Sequence, residues 1–359
     1  MAILLKQYFP TVAVTVFEQN PRGATFGFGV VFSDRALDFM QADAPALFNL
    51  IAPVMQSWEN MTLSLPARDV ILDGVGFSAI GRLQLLELLE GHAAKLGVQV
   101  MHDCTITDLT ELRGDLVIGA DGVNSIVRES NPNLFEPSVS YSRNRFAWFG
   151  VAKRFDTLTQ TFIETPCGPM NAHHYRYTAN ESTFIVECSD ETWRAHGFDK
   201  LNQVESAAKC TALFEKPLEG AELVTNASEW RVFPHLWCER WVSGTKVLLG
   251  DAAHTAHFSI GSGTRLAMED AIALVSALRH AANLEAGLVA YERSRQPIAR
   301  KIVDAARASA DWYEDFGAIM KLPALEFAKR YLMRSGRLNV DQLRKLAPRF
   351  MSEYDVACH

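Results

Sequence analysis

Gly261, Ser262 and Gly263 lie just ahead of an amphipathic stretch that begins near Thr264, inside the run VLLGDAAHTAHFSIGSGTRLAMEDA at residues 247–271. A helix entered through glycines is an anion site. Its first backbone N–H groups have no partner, the positive end of the dipole favours negative charge, and glycine lets a ligand approach the chain. Upstream, residues 246–249 read as an apolar strand that Gly250 and Asp251 bring to an end. A carboxylate at the carboxyl end of a strand can accept hydrogen bonds from a chain of hydroxyls. An aspartate that merely caps a helix has the same residue type in the same place.

A second phrase has the same strand, loop and helix order. Residues 115–118 (DLVI) form a short apolar strand, and GADGVNSIVRES at 119–130 turns the chain through Asp121 and Gly122 before Ser125 and Arg128 open a helix. An arginine there can meet a pyrophosphate bidentately, and Asp121 can hold the loop or a ribose. A capped surface turn with an exposed arginine is the alternative. Together the two phrases describe a flavin pocket, because a reduced flavin carries negative charge near its pyrimidine edge.

The elements that would position these loops can be read coarsely. Leucines at helical spacing over 82–96, followed by Gly97 and the strand VQVMHD, predict a helix leading into a parallel strand, with Arg82 at the helix start. Residues 1–9 (MAILLKQYF) read as the end of a helix, 12–17 (VAVTVF) as the next strand, and Glu18 as the acid that ends it and holds a ribose. A dinucleotide unit should begin with a strand and a GxGxxG turn. Neither is in this sequence, so the natural chain is expected to begin roughly twenty residues earlier, the length of a strand, loop and partial helix. Without that strand, ladder edges would be exposed and FAD binding impaired.

From 141 to 236 the texture becomes alternating strands rich in aromatics, which predicts an antiparallel sheet with one packed face. His173, His174 and Tyr175 lie in it. Successive side chains on a strand point to opposite faces, so His173 and Tyr175 should share one face, with His174 on the other. One of these faces is a candidate lining for a ring pocket; packed histidines and tyrosines are the plainer reading. Arg143, Arg145, Lys153 and Arg154 could attract a phosphate, or could simply protect a sheet edge. The expected organisation is a discontinuous cofactor domain of residues 1–140 and 237–288, a substrate sheet of 141–236 and a helical region of 289–359.

Composition agrees with an enzyme of two structural units. The chain has 359 residues, 48% hydrophobic and 21% charged, and a net charge of −7 argues against a nucleic-acid surface. No apolar run approaches a membrane span, no signal peptide is recognisable, and a cytoplasmic location is expected. The six cysteines are scattered without a CxxC pair, and His173, His174, His254 and His257 lack the carboxylate or thiol that would complete a metal site.

The two loop phrases resemble the GD and DG fingerprints of the FAD-dependent aromatic monooxygenases of the para-hydroxybenzoate hydroxylase type. The likeness covers nearly the whole chain. ATFGFGVVFSD at 24–34, SAIGR at 78–82, RNRFAWFGVAKRFD at 143–156, and AHHYRY with STFIVE within 172–187 are similar to the subgroup acting on aromatic acyl-CoA thioesters, with salicylyl-CoA 5-hydroxylase as its type, and to a violacein-pathway hydroxylase of a tryptophan-derived compound. The commoner family phrase has proline where this chain has Ser259.

The resemblance implies a mixed α/β (α+β) fold with a Rossmann-like FAD-binding domain. It implies FAD as cofactor, with NADH or NADPH and O2 as co-substrates, and hydroxylation of an activated ring through a flavin C4a-hydroperoxide. In the family an arginine at the place of Arg82 contacts FAD. No nucleophilic side chain is needed, since the electron chemistry belongs to the flavin. A salicylyl-type acyl-CoA is the expected substrate, and a free or tryptophan-derived aromatic metabolite is the alternative. A monomer or homodimer is expected. A related reductase would share both loop phrases without needing a closed aromatic chamber.

Overall fold

Alternating aromatic strands build the centre of the molecule, a computed structural model that describes residues 1–358. Eight strands form one sheet in the order Leu223–Val224, Pro137–Val151, Ser182–Ser189, Gly168–Arg176, Leu158–Thr165, Met61–Ser64 and Asp69–Leu72, with Arg231–Cys238 also paired along Pro137–Val151. The pairings are antiparallel, except that Met61–Ser64 runs parallel to Leu158–Thr165. The sheet therefore reaches beyond residues 141–236. It recruits two strands from the segment assigned by sequence to the cofactor domain, and its outer strands begin at Pro137 and end at Cys238.

Period-two alternation gives the sheet two packed faces. On one, Phe149, Met170, Ala172 and Phe184 pack against Cys210 and Phe214, at the end of the helix Gln203–Leu213. On the other, Phe162 and Tyr175 pack against Tyr313, Phe316, Phe327 and Tyr331. Each such fully buried phenylalanine contributes about 1.5–3 kcal/mol relative to exposure. The C-terminal region is helical, led by Leu284–Glu314 and Ala324–Met333.

The parallel part of the cofactor domain is in two pieces. Thr15–Phe17 pairs with Gln99–Met101, and Val117–Gly119 pairs with Lys246–Leu248. The pieces do not pair with each other. In the first piece the register partners Phe17 and Met101 are left 40% and 39% exposed. The helix Ala2–Tyr8 still docks. Ile3 packs with Ala93 and Val98, while Leu4 and Leu5 join the core beneath Leu248 and Leu274.

A flavin-type loop pair beside a buried histidine

The helix Gly263–His280 begins without a side-chain cap at Ser262 and without an acid in its first turn. Its leading N–H groups, from Ser262 through Thr264, are thus left for a ligand or solvent. Gly261 and Gly250 both take left-handed backbone, with φ of +60° and +56°, which a side chain would strain. At Gly250 a Cβ would also lie 2.9 Å from the Ala267 Cβ, so the turn presses directly on the helix.

Asp251 follows that turn and is open to solvent on one side. The protein crowding its other side raises its carboxyl above the usual range, Asp270 adds to the rise, and His254 and Arg82 oppose it. Arg82, at the start of the helix Arg82–Lys95, is near enough to act on this carboxyl. Solvent on the open side limits the rise, so Asp251 is an outward-facing acceptor rather than a sealed one.

The rigidity of this loop comes from residues the sequence did not single out. Asp270, fully buried, accepts from the Gly250 N–H at 2.9 Å, pairs with His254 Nε2 at 2.9 Å and takes Arg295 Nε at 2.7 Å. Arg295 continues to Glu269 at 2.8 Å, and Glu269 to Arg265 at 2.6 Å. Burial alone would raise the Asp270 carboxyl, but His254 and Arg295 outweigh it and hold it below the usual carboxylate range. Ser259, in the place of the family proline, is pinned too. Its hydroxyl donates to Ser309 Oγ at 2.8 Å, and its carbonyl accepts from Arg334 Nη2 at 2.8 Å.

In the second loop, Asp121 accepts from the Ile126 N–H at 2.8 Å, and Ser125 caps the same short helix through the Arg128 N–H at 3.1 Å. Asp121 thus holds the loop, one of the two roles its position allows, while Gly122 faces open space. Arg128 takes a different part from the expected pyrophosphate contact. It is 4% exposed, and its guanidinium reaches the Ala252 carbonyl at 3.0 Å, the Val123 carbonyl at 2.6 Å and Glu129 at 3.1 Å, which ties the two loops together. Glu18 lies one residue past its strand, half-buried, with one oxygen accepting from Asn20 at 2.7 and 2.8 Å.

The sheet separates the histidines as alternation requires. His174 stacks on Phe184 with ring centroids 5.0 Å apart and meets Thr161 Oγ1 at 2.9 Å, inside the packed face. Tyr175 donates to the Gly29 carbonyl at 3.0 Å and so braces the strand Gly29–Ser33. His173 differs from both. It is 5% exposed, neither ring nitrogen has a hydrogen-bond partner, and burial together with Arg334 lowers its pKa to about 3. It is therefore neutral at ordinary pH.

Facing it, the glycine loop contributes His257 and Phe258. The rings of Phe146 and Phe258 are 4.8 Å apart, as are those of Phe233 and His257. Aromatic strands and the flavin-type loop thus pack ring against ring. The four basic residues are all matched by carboxylates: Arg143 by Glu314 and Asp315, Arg145 by Asp190, Lys153 by Glu219 and Arg154 by Asp156. Their charge is thus committed within the chain, and Pro137–Val151, which carries Arg143 and Arg145, is paired along both sides and is no edge.

Residues 97–306, more than half the chain, match the family described as FAD binding domain. A salicyloyl-CoA 5-hydroxylase of Streptomyces sp is 37% identical over 93% of this chain and 67% of its own. This chain belongs to the FAD-dependent aromatic monooxygenases. Further members are a 3-hydroxy-4-methyl-anthranilyl-[aryl-carrier protein] 5-monooxygenase of Streptosporangium sibiricum, 33% identical over 84% of this chain and 81% of its own, and a protodeoxyviolaceinate monooxygenase of Chromobacterium violaceum, 30% identical over 91% and 89%. The fold is shared with the crystal structure of 2-methyl-3-hydroxypyridine-5-carboxylic acid oxygenase, at a TM-score of 0.70, 18% identity, and 96% and 92% coverage.

FAD-dependent monooxygenases of this family use NAD(P)H and O2 on small aromatic substrates, and the geometry above fits the flavin end of the cofactor. An uncapped helix start, an outward carboxylate and glycine turns that allow close approach are all in place. Among the described residues no helix is long and apolar enough to cross a membrane.

Proposed function

We propose that the chain hydroxylates an aromatic acyl group carried as a thioester, a salicyloyl-type acyl-CoA being the model case. The observation that carries this reading is that the sheet face at His173 offers no uncommitted cation. His173 is uncharged, and the cation beside it, Arg334, donates from all three of its nitrogens, to the Ser309 hydroxyl at 3.0 Å and the carbonyls of Tyr331 and Ser259 at 2.7 and 2.8 Å. A free aromatic carboxylate would have to draw Arg334 away from these partners to find a counter-charge, whereas a thioester carbonyl is neutral and needs none. The names of the Streptomyces and Streptosporangium relatives, one with a salicyloyl-CoA and one with an anthranilyl group on an aryl-carrier protein, support the same class.

In this reading Asp251 would hold the hydroxyl chain of FAD, and the N–H groups at Ser262, Gly263 and Thr264 would hold its anionic pyrimidine end. Arg82 and Glu18 serve the remainder of the cofactor, and Asp121, Gly122, Gly250 and Gly261 shape the loops. His174 and Tyr175 are structural. When bound there, FAD would supply the electron transfer from NAD(P)H and the oxygen activation that ring hydroxylation needs. The chain's own task is to hold the ring beside Phe146, Phe258 and His257 and to exclude water. NAD(P)H binds transiently, the location is the cytoplasm, and the protein acts as a monomer or homodimer.

The test compares salicyloyl-CoA with salicylate in NAD(P)H oxidation by the FAD-loaded protein, with product identified by mass. Hydroxylated thioester with little turnover of the free acid is expected. Preference for the free acid, or oxidation that yields no hydroxylated ring, would overturn the reading.

A further inference from the structure

His173 is the only histidine among the described residues whose two ring nitrogens are both buried and unpartnered. Its register partner across the sheet is Gln160, 1% exposed, whose Oε1 also lacks a partner. Paired residues of an antiparallel ladder share a face, so both orphans lie side by side on one wall. The Gln160 amide also neighbours the Tyr331 hydroxyl, and its orphan Oε1 is an acceptor. Buried polar groups are almost always satisfied, and two neighbouring exceptions call for a partner that the chain itself does not supply.

A neutral imidazole has one N–H and one lone pair, and Gln160 Oε1 adds a second acceptor. The complementary ligand edge carries an acceptor next to a donor. We propose that Gln160 and His173 together select an aromatic acyl group bearing a hydroxyl or amino substituent ortho to its carbonyl. The N–H of His173 donates to the acyl oxygen, and the ortho O–H or N–H donates to Gln160 Oε1 or to the free imidazole nitrogen. Burial and Arg334 keep the imidazole neutral, and its neighbour His257 is held well below its usual range by burial, His235, Arg334 and His173. The donor–acceptor pattern is therefore fixed. The inference deepens the thioester reading, which supplies the carbonyl, by naming what sits beside it.

The experiment is calorimetric binding to the FAD-loaded protein, with salicyloyl-CoA, 2-aminobenzoyl-CoA and benzoyl-CoA as probes. Leaving the two groups unsatisfied should weaken benzoyl-CoA by about 10- to 100-fold relative to the ortho-substituted thioesters. His173→Phe and Gln160→Leu should each compress that ratio to within about threefold, with the CD spectrum unchanged. Two variants keep the test valid if one fails to fold. A ratio that survives in the folded variants, or is absent from the parent, overturns the proposal. If no thioester binds but salicylate is preferred over benzoate in a His173-dependent way, the selection stands and the thioester reading falls. If no ligand of either set binds, both fall.

Discussion

Arg295→Leu should destabilise the protein although the residue lies far from either loop in sequence. Arg295 is 4% exposed and its guanidinium is shared between Asp270 at 2.7 Å and Glu269 at 2.8 Å. Its removal takes the shared cation from two buried carboxylates, leaving Asp270 only His254 and the Gly250 N–H and Glu269 only Arg265, and breaking a buried pair in this way costs roughly 3–5 kcal/mol. An unfolding entropy of roughly 2.1 cal/mol/K per residue, over 359 residues in one cooperative transition, is about 0.75 kcal/mol/K. Tm should then fall by about 4–7 °C. Because Asp270 is lowered in the folded state, its stabilisation is present above the ordinary aspartate pKa and disappears as pH falls through the lower folded value. The gap between variant and parent should thus be flat across about pH 6–8 and narrow only in acid. The assay is thermal unfolding followed by CD, repeated for Asp270→Asn and the double variant. A Tm change below about 1 °C, or single effects that add within about 0.5 kcal/mol, would refute the claim that these charges form one unit.

Three further outcomes follow from single contacts. Gly250→Ala combines a left-handed backbone with a 2.9 Å approach to Ala267, so chemical denaturation should show a loss of roughly 2–4 kcal/mol; a smaller loss would mean that the turn relaxes freely. Glu187 is buried and its pKa is raised from 4.5 to about 7, chiefly by burial, so the folded state keeps a proton that the unfolded state releases and stability falls as pH rises through that window. Glu187→Gln, which keeps the Asn144 contact, should therefore add about 3 kcal/mol, or about 4 °C, at pH near 8 and little near pH 4; equal effects at both would contradict the burial argument. Ser309→Ala removes one partner each from Ser259 and Arg334 and should cost about 2 kcal/mol by urea titration; an unchanged midpoint would show that the loop is held elsewhere.

Local grammar was legible and long-range pairing was not. The helix starts at Arg82 and Gly263, the strands that precede the loops and the opposite facings of His173 and His174 all follow from glycine placement and side-chain period. By contrast, nothing in the short runs Met61–Ser64 and Asp69–Leu72 tells that they extend the large sheet, because a parallel crossover partner lies far away in sequence. Arg128 illustrates a second limit. Its residue type suits a pyrophosphate, but whether a guanidinium faces outward or is consumed by the Ala252 and Val123 carbonyls depends on how two distant loops approach. Likewise Asp270 and Arg295 look like ordinary helix charges until their helices pack. Ser259 could be flagged as a departure from the family proline, though its compensating contacts with Ser309 and Arg334 come from the C-terminal helices.

The most direct test of the flavin site is an absorbance titration of the purified chain with FAD, run in parallel on Asp251→Ala. The account predicts saturable binding with a perturbed flavin spectrum, weakened about 10- to 100-fold in the variant by loss of a charged acceptor. A folded protein that leaves the FAD spectrum unperturbed, or a variant that binds as tightly as the parent, would contradict it.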